Sequence, residues 1–383
     1  MDFRLSEEQE SIQKAARDFA KGEFKKELSL ELERSHSFPE KLWKKASGLG
    51  FVGLHYPEEL GGQDYGVLEN ALVVEEFCRQ DSGIGISMSI VDFASELILR
   101  YGTGDQKKKY LLPITKGKKI SSGAFTEPDH GSDITCMNTN AERKGNEYIL
   151  NGIKTFITNG LIADFTIVLC QTNHDVVPPY RGQTLIIVDK GTPGFMAHDV
   201  GEKMGIKMTS TAELSFNNVK VPVSNVIGEE GKGFYHALHF FDESRIEIAA
   251  QALGIAQGAF DRAIAYCKER SQFGKKIAEF QITQHKLADM ATMIETARLL
   301  VYKAAWNFDK GNIDPKLTSM AKYYAGRIAV KVAEEAIQLL GGYGYMLEYE
   351  VERFYRDARI TEIYEGTKEI QKNTIARSLL GKL

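Results

Sequence analysis

Near the C-terminus, Glu365 is followed at once by Gly366 in the run Ile363-Tyr364-Glu365-Gly366-Thr367-Lys368-Glu369-Ile370-Gln371. A carboxylate beside a glycine offers a proton acceptor and, next to it, a backbone N–H that no side chain obstructs. That pairing suits removal of a proton next to a carbonyl, with the amide of Glu365 or Gly366 facing the oxygen on which negative charge develops. A Glu-Gly pair also ends helices and makes turns, so its meaning rests on its company. Far upstream, Phe125-Thr126-Glu127-Pro128 through Gly131-Ser132-Asp133 presents a hydroxyl, small residues and free backbone groups. Such a loop can hydrogen-bond a planar heteroaromatic ring or simply turn the chain. Phe156-Ile157-Thr158-Asn159-Gly160 repeats the theme of an aromatic wall followed by a hydroxyl. Two later segments, Arg270-Ser271-Gln272-Phe273-Gly274 with Gln281 beyond it and Gln338-Leu339-Leu340-Gly341-Gly342, join an arginine to glycine-containing loops, a pattern suited to a pyrophosphate. No Gly-x-Gly-x-x-Gly run follows a strand-like segment, so a Rossmann dinucleotide site is not indicated.

The elements that must position these residues alternate in texture. From Ser6 to about Gly117 the pattern is helical, opening on Ser6 and Gln9 as a capping box, with loops at Tyr56-Pro57 and Gly61-Gly62. Between Ser121 and about Gly228 come short β-rich runs, Glu147 to Ile157, Phe165 to Gln171, Thr184 to Asp189 and Ala212 to Val221. Helical runs then return over Arg245 to Arg270, Gln284 to Lys310 and Lys316 to Leu340, and with a shorter helix from about Thr367 they can form a four-helix bundle. The fold expected is mainly α with a central β domain, divided as 1–118, 119–229 and 230–383. Crevices between such domains are common cofactor sites.

Composition narrows the function classes. At 383 residues, 43% hydrophobic and 26% charged, the chain is neither disordered nor membrane-like, and its net charge of −4 argues against a nucleic-acid partner. Cys78, Cys136, Cys170 and Cys267 have no CxxC spacing, which points to a reducing cytoplasm and away from zinc or a disulfide scaffold. No export signal or membrane span is visible.

With the segments at Thr126 to Asp133 and Gln338 to Gln371 placed in order around a β-rich middle, the chain resembles the acyl-CoA dehydrogenase family along nearly its whole length. The resemblance implies FAD, an N-terminal helical domain, a β-barrel-like middle domain and a C-terminal helical bundle. It further implies a homotetramer in which a neighbouring subunit completes each FAD site, and an electron-transferring flavoprotein as acceptor. Matched position by position, Phe125, Thr126 and Thr158 would lie at the isoalloxazine, with Phe156 where the family often has tryptophan. Arg270, Phe273, Gln281, Gln338 and Gly342 would reach FAD across the subunit interface, and Thr367 and Glu369 fall in the cofactor-contacting segment after the base. Ser132 falls near the pantetheine arm and the cofactor loop, Asp242 and Arg245 lie on the CoA-side helix, and Tyr364 and Gly366 flank the acyl group. Glu365 matches the catalytic base; some branches carry the base where this chain has Ser244, which cannot act as one. In this reading the α proton goes to Glu365 and the β hydrogen leaves as hydride to flavin N5, giving an enoyl-CoA.

One departure stands out. Asp92, in Ser89-Ile90-Val91-Asp92-Phe93, is expected on the helix lining the acyl pocket, where the family usually has small or uncharged residues. A carboxylate there is expensive unless bonded or functional. It either caps a helix or faces solvent, or it is a second acid/base near carbons beyond Cβ, which suits an alicyclic substrate such as cyclohexane- or cyclohexene-carboxyl-CoA. A straight short-chain acyl-CoA is the alternative. Glutaryl-CoA is less favoured because no arginine stands beside Asp92 in the sequence. His130 is expected to be a non-catalytic loop residue and Lys368 a solvated one. Competing classes are an acyl-CoA oxidase, a non-catalytic paralogue and a flavin monooxygenase; Glu365 speaks against the last two.

Overall fold

The computed structural model describes residues 4–381. Seven helices come first: α1 (Glu7–Glu23), α2 (Lys26–Arg34), α3 (Glu40–Gly48), α4 (Val67–Gln80), α5 (Ser82–Ser89), α6 (Glu96–Tyr101) and α7 (Gly104–Thr115). The capping box at the start of α1 is formed: the Gln9 amide donates to Ser6 Oγ at 3.2 Å and the Ser6 amide donates to Gln9 Oε1 at 2.9 Å.

Eight strands follow: β1 (Ser121–Ala124), β2 (Asn140–Lys144), β3 (Glu147–Thr158), β4 (Phe165–Gln171), β5 (Gln183–Asp189), β6 (Phe195–Asp199), β7 (Thr211–Pro222) and β8 (Val226–Ile227). They form one mixed sheet in the order β6-β7-β3-β2-β4-β5-β8, with β1 parallel to β4 off this path. The expected barrel does not close. Closure requires the two outermost strands to pair with each other, whereas β6 pairs with β7, and the two-residue β8 pairs with β5.

The last third holds α8 (Gly233–Glu269), the small hairpin β9 (Ser271–Gln272) and β10 (Lys275–Lys276), then α9 (Gln281–Asp309), α10 (Pro315–Leu340), α11 (Val351–Ala358) and α12 (Lys368–Leu380). Alanine and aliphatic residues of α8, α9 and α10 fill a common core with α4. Helix α12 lies on α10 but fully buries only Gln371. The α4–α8 contact is very close: a Cβ at Gly254 would come within 2.3 Å of the Glu75 carbonyl oxygen, and one at Gly258 within 2.2 Å of that of Arg79. Asp309 of α9 ties the start of α4, its carboxylate accepting from the amides of Val67 and Leu68 at 2.7 and 3.0 Å. All four cysteines are free, and among the described residues no helix is long and apolar enough to cross a membrane.

Candidate active site

Glu365 sits in the short irregular link between α11 and α12, and both it and Gly366 adopt left-handed backbone, with φ of 52° and 86°. For a glutamate this conformation is strained, and such strain persists only where the surroundings impose it. Three partners do so. Lys322 of α10, itself buried, donates to the Gly366 carbonyl at 2.6 Å. Gln371 Nε2 donates to the carbonyls of Glu365 and Gly366, both at 2.9 Å, and Ser244 Oγ of α8 donates to Glu365 Oε2 at 2.5 Å. A side chain at position 366 would meet Gln371 Nε2 at 2.7 Å, so glycine is required there for space as well as conformation. Among the described residues neither the Glu365 nor the Gly366 amide donates a hydrogen bond, which leaves both N–H groups available to a carbonyl oxygen.

The electrostatics favour a base. Burial lifts the Glu365 carboxyl above its ordinary value, opposed by the Ser244 hydrogen bond and by the charges of Arg245 and Lys322. Burial also pushes Lys322 down to about 7. Next to Glu365, Tyr364 donates its hydroxyl to Gln251 Oε1, whose amide nitrogen in turn donates to Ser89 Oγ at 2.9 Å. At the same end of α8, Arg245 donates to Asp242 Oδ1 at 3.0 Å, both side chains nearly enclosed.

Asp92 lies in the turn between α5 and α6 and not within a helix, because Ile90 to Ser95 leave the helical path. Its side chain neither caps a helix nor reaches solvent: it is 7% exposed and accepts a hydrogen bond from the buried Tyr56 hydroxyl at 3.2 Å. It belongs to a group of acids absent from the sequence reading. Burial, with the charges of Asp92, Glu243 and Glu247, holds the Glu96 carboxyl well above the carboxylate range; burial, with Asp92, Glu365 and Glu243, does the same for Glu247, and burial raises Glu243 against the pull of Arg100. Asp92 is raised too, chiefly by burial, against the pull of His55. Arg100 is engaged with Glu243 through two bonds to Oε2 at 2.5 and 3.0 Å and is not free to hold a distal carboxylate.

The Thr126 loop is held by a buried ion pair. Lys154 Nζ donates to the Phe125 carbonyl at 3.0 Å and to Glu127 Oε1 at 2.9 Å, and Glu127 also accepts from the amides of Asn138 and Thr139. Burial works to raise Glu127, but the Lys154 charge and these amides outweigh it and keep its carboxyl low. The Thr126 carbonyl accepts from the Thr155 amide at 2.9 Å, fastening the loop to β3. Phe125 is buried against Phe240 and Phe241. One residue beyond Thr155, a bulge in β3 turns Phe156 outward with φ of 56° and 69% exposure, an unpacked ring wall beside Thr158. Ser132 is exposed on the loop, and His130 is half-buried there, its backbone bridged to Glu127.

A second group gathers elsewhere. Arg270 and Gly342 line an open cleft of about 620 Å³, Arg270 lying over the Tyr343 ring at 5.7 Å. Nearby Phe273 is 94% exposed on the hairpin, Gln281 opens α9, and Gln338 is exposed on the last turn of α10. Ser244 and Arg270 are separated by most of α8, roughly 39 Å at 1.5 Å per residue. Thr367 caps α12, accepting from the Ile370 amide at 3.4 Å, Glu369 is exposed on its first turn, and Lys368 pairs with Glu362 at 3.5 Å in place of the free solvation expected.

Ser244, Lys322 and the acids around Asp92 are the functional candidates that the residue pattern alone did not yield. Their signal was present: Ser244, Glu247 and Gln251 recur at helical spacing, and Lys322 interrupts a buried run of Leu317, Ala321 and Ala325.

The fold and the site together define the class: the chain belongs to the acyl-CoA dehydrogenase family, flavoprotein oxidoreductases. The family's N-terminal domain matches residues 6–118, its middle domain 122–219 and its C-terminal domain 231–380. Among particular relatives, the acryloyl-CoA reductase (NADH) of Anaerotignum propionicum is 44% identical over 99% of this chain and 96% of its own length. A caffeyl-CoA reductase–Etf complex subunit of Acetobacterium woodii is 42% identical over 99% of this chain and all of its own. The butyryl-CoA dehydrogenase structure from Megasphaera elsdenii superposes with a TM-score of 0.95 at 41% identity, over 99% of this chain and all of that one.

Proposed function

We propose that this protein binds FAD and oxidises an acyl-CoA thioester between Cα and Cβ, with Glu365 as the base. The observation that carries the reading is the desolvated Glu365 carboxylate, oriented by Ser244 and set beside two unengaged amides. Removal of an α proton needs this pair of features in one place, a proton acceptor, here raised by burial, and donors for the enolate oxygen. The residues fit the cofactor: Phe156 stands outward as a ring wall, Phe125, Thr126 and Thr158 adjoin it, and Arg270 and Gly342 line a cleft with room for a dinucleotide end. When bound, FAD supplies the hydride acceptor. Asp242, Arg245, Ser132 and Tyr364 serve the CoA and acyl side.

The length of α8 between Ser244 and Arg270 supports a cofactor site shared by two copies, with Phe273, Gln281 and Gln338 of the second copy beside Arg270, and a homotetramer is the assembly we propose. An electron-transferring flavoprotein is the proposed acceptor, supported by the relative named as part of an Etf complex. A cytoplasmic setting suits the free cysteines.

For the acyl group, the buried Asp92 favours an alicyclic thioester, since a second acid beyond Cβ can serve ring carbons of cyclohexane- or cyclohexene-carboxyl-CoA. The likeness to butyryl- and acryloyl-CoA enzymes favours the second reading, a short straight chain. Both readings share the test of the base. Glu365→Gln is expected to keep FAD and ligand binding and to lose about 10³-fold in turnover; near-parental turnover would contradict the assignment.

A further inference from the structure

A small cavity is lined on one side by Ser244, the donor to Glu365. It measures about 10 Å³, space for the centre of one water molecule, and Ser244, Glu96, Glu243, Glu247, His55 and Ala71 form most of its wall. Three polar atoms of its lining, Glu96 Oε2 and both ring nitrogens of His55, make no hydrogen bond with the protein. Both side chains are more than nine-tenths enclosed, and the nearest approach between them is 3.8 Å, from His55 Nε2 to Glu96 Oε1. Buried polar atoms of this kind are ordinarily satisfied, and an ordered water needs two to four such partners.

We propose that one water occupies this cavity and that Ser244, this water, His55 and Glu96 form a proton relay which exchanges the Glu365 proton with solvent while an acyl thioester covers the base. The proposal rests on the reading of Glu365 as the base. Each transfer is balanced. Protonated Glu365 gives its proton to Ser244 Oγ as the Ser244 hydroxyl proton passes to the water; the water passes one on to Oε2 of the Glu96 carboxyl, which burial keeps protonated, as Glu96 Oε1 gives up its own to His55 Nε2, and the proton on His55 Nδ1 leaves toward solvent.

The surrounding groups allow this. Burial lowers His55 to about 4, so its imidazole is neutral at pH 7 and has one nitrogen free to accept. The other titratable groups around it are acids, Asp92, Glu96, Glu243 and Glu247, with Tyr56 beside them and Arg100 as the cation. The relay also gives a reason for keeping several buried acids beside a reacting centre, where desolvation makes each costly.

The test follows the α hydrogen. Holoenzyme is mixed anaerobically in D₂O with the saturated acyl-CoA that bleaches its flavin, without an electron acceptor. Flavin bleaching is timed by stopped flow, and deuterium at Cα of the recovered acyl-CoA by mass spectrometry. The parent protein is expected to incorporate deuterium; Glu96→Gln is expected to lose about tenfold in exchange relative to its own bleaching rate. Ala71→Val, which fills the cavity without removing a polar group, is expected to slow exchange likewise while bleaching stays close to the parental rate. Parental exchange in both variants overturns the relay and leaves the base in place. Failure of every tested thioester to bleach the parent overturns the base assignment and the relay with it.

Discussion

Ser244 shows how one neighbour sets the behaviour of the proposed base. Its hydroxyl donates to ionised Glu365 and so favours the charged form, against burial, which favours the neutral one. A base works only when deprotonated, so activity is lost as pH falls through its raised value. Removing the Ser244 donor raises that value further. Ser244→Ala is therefore expected to move the acid limb of the kcat/KM profile upward by about one pH unit, the worth of a hydrogen bond to a charged group. An unmoved limb would mean that Ser244 only fills space. Asp92 is the harder case: its enclosure and its Tyr56 bond exclude the capping and solvent readings, yet the same enclosure would hold a purely structural acid.

Helix α8 carries Ser244, Glu247 and Gln251 into the site and Arg270 to the other group, so its seating on α4 fixes both. The seating depends on Gly254 and Gly258, where a methyl group would fall at 2.3 and 2.2 Å from backbone oxygens. Gly258→Ala is expected to destabilise by about 1–3 kcal/mol through overpacking, read as a lower urea midpoint; an unchanged midpoint would show that the helices part without strain. The sequence located this helix only from Arg245, whereas it begins at Gly233. The charges in the run Phe241-Asp242-Glu243-Ser244 interrupt the alanine- and leucine-rich pattern by which the helix was located, and they are neutralised by tertiary and helical partners, Asp242 by Arg245 and Glu243 by Arg100 of α6. Strands β4 and β7 were legible to within a residue because their apolar runs are bounded by turns. The Glu365-Gly366 pair was legible from chemistry and family likeness, whereas Ser244, Lys322 and Glu96 reach the site through tertiary packing, which no local pattern records. The same holds for the open sheet, since closure is decided by strands distant in sequence.

At the scale of the molecule, the proposal that the residue groups at the two ends of α8 serve one cofactor makes the assembly part of the proposed site. If Glu365 and Arg270 of each site come from different chains, Glu365→Gln and Arg270→Ala should complement each other. In a mixed dimer one site is then doubly impaired and the other intact, so co-expressed chains are expected to regain roughly a quarter of the parental activity by random pairing. No recovery would place both residues in one chain's site. The central claim, an acyl thioester dehydrogenase whose base is Glu365, is tested most directly by anaerobic bleaching of the purified flavoprotein. The panel comprises butyryl-, hexanoyl-, cyclohexane-carboxyl- and cyclohexene-carboxyl-CoA, each with the parent, Glu365→Gln and Asp92→Asn. The account predicts bleaching of the parent by at least one of these and none on that timescale in Glu365→Gln. Selective loss of the cyclic thioesters in Asp92→Asn would mark the alicyclic reading, and equal bleaching by butyryl-CoA with and without Asp92 the short-chain one. Rapid bleaching of Glu365→Gln, or a parent that none of the thioesters reduces, would contradict the account.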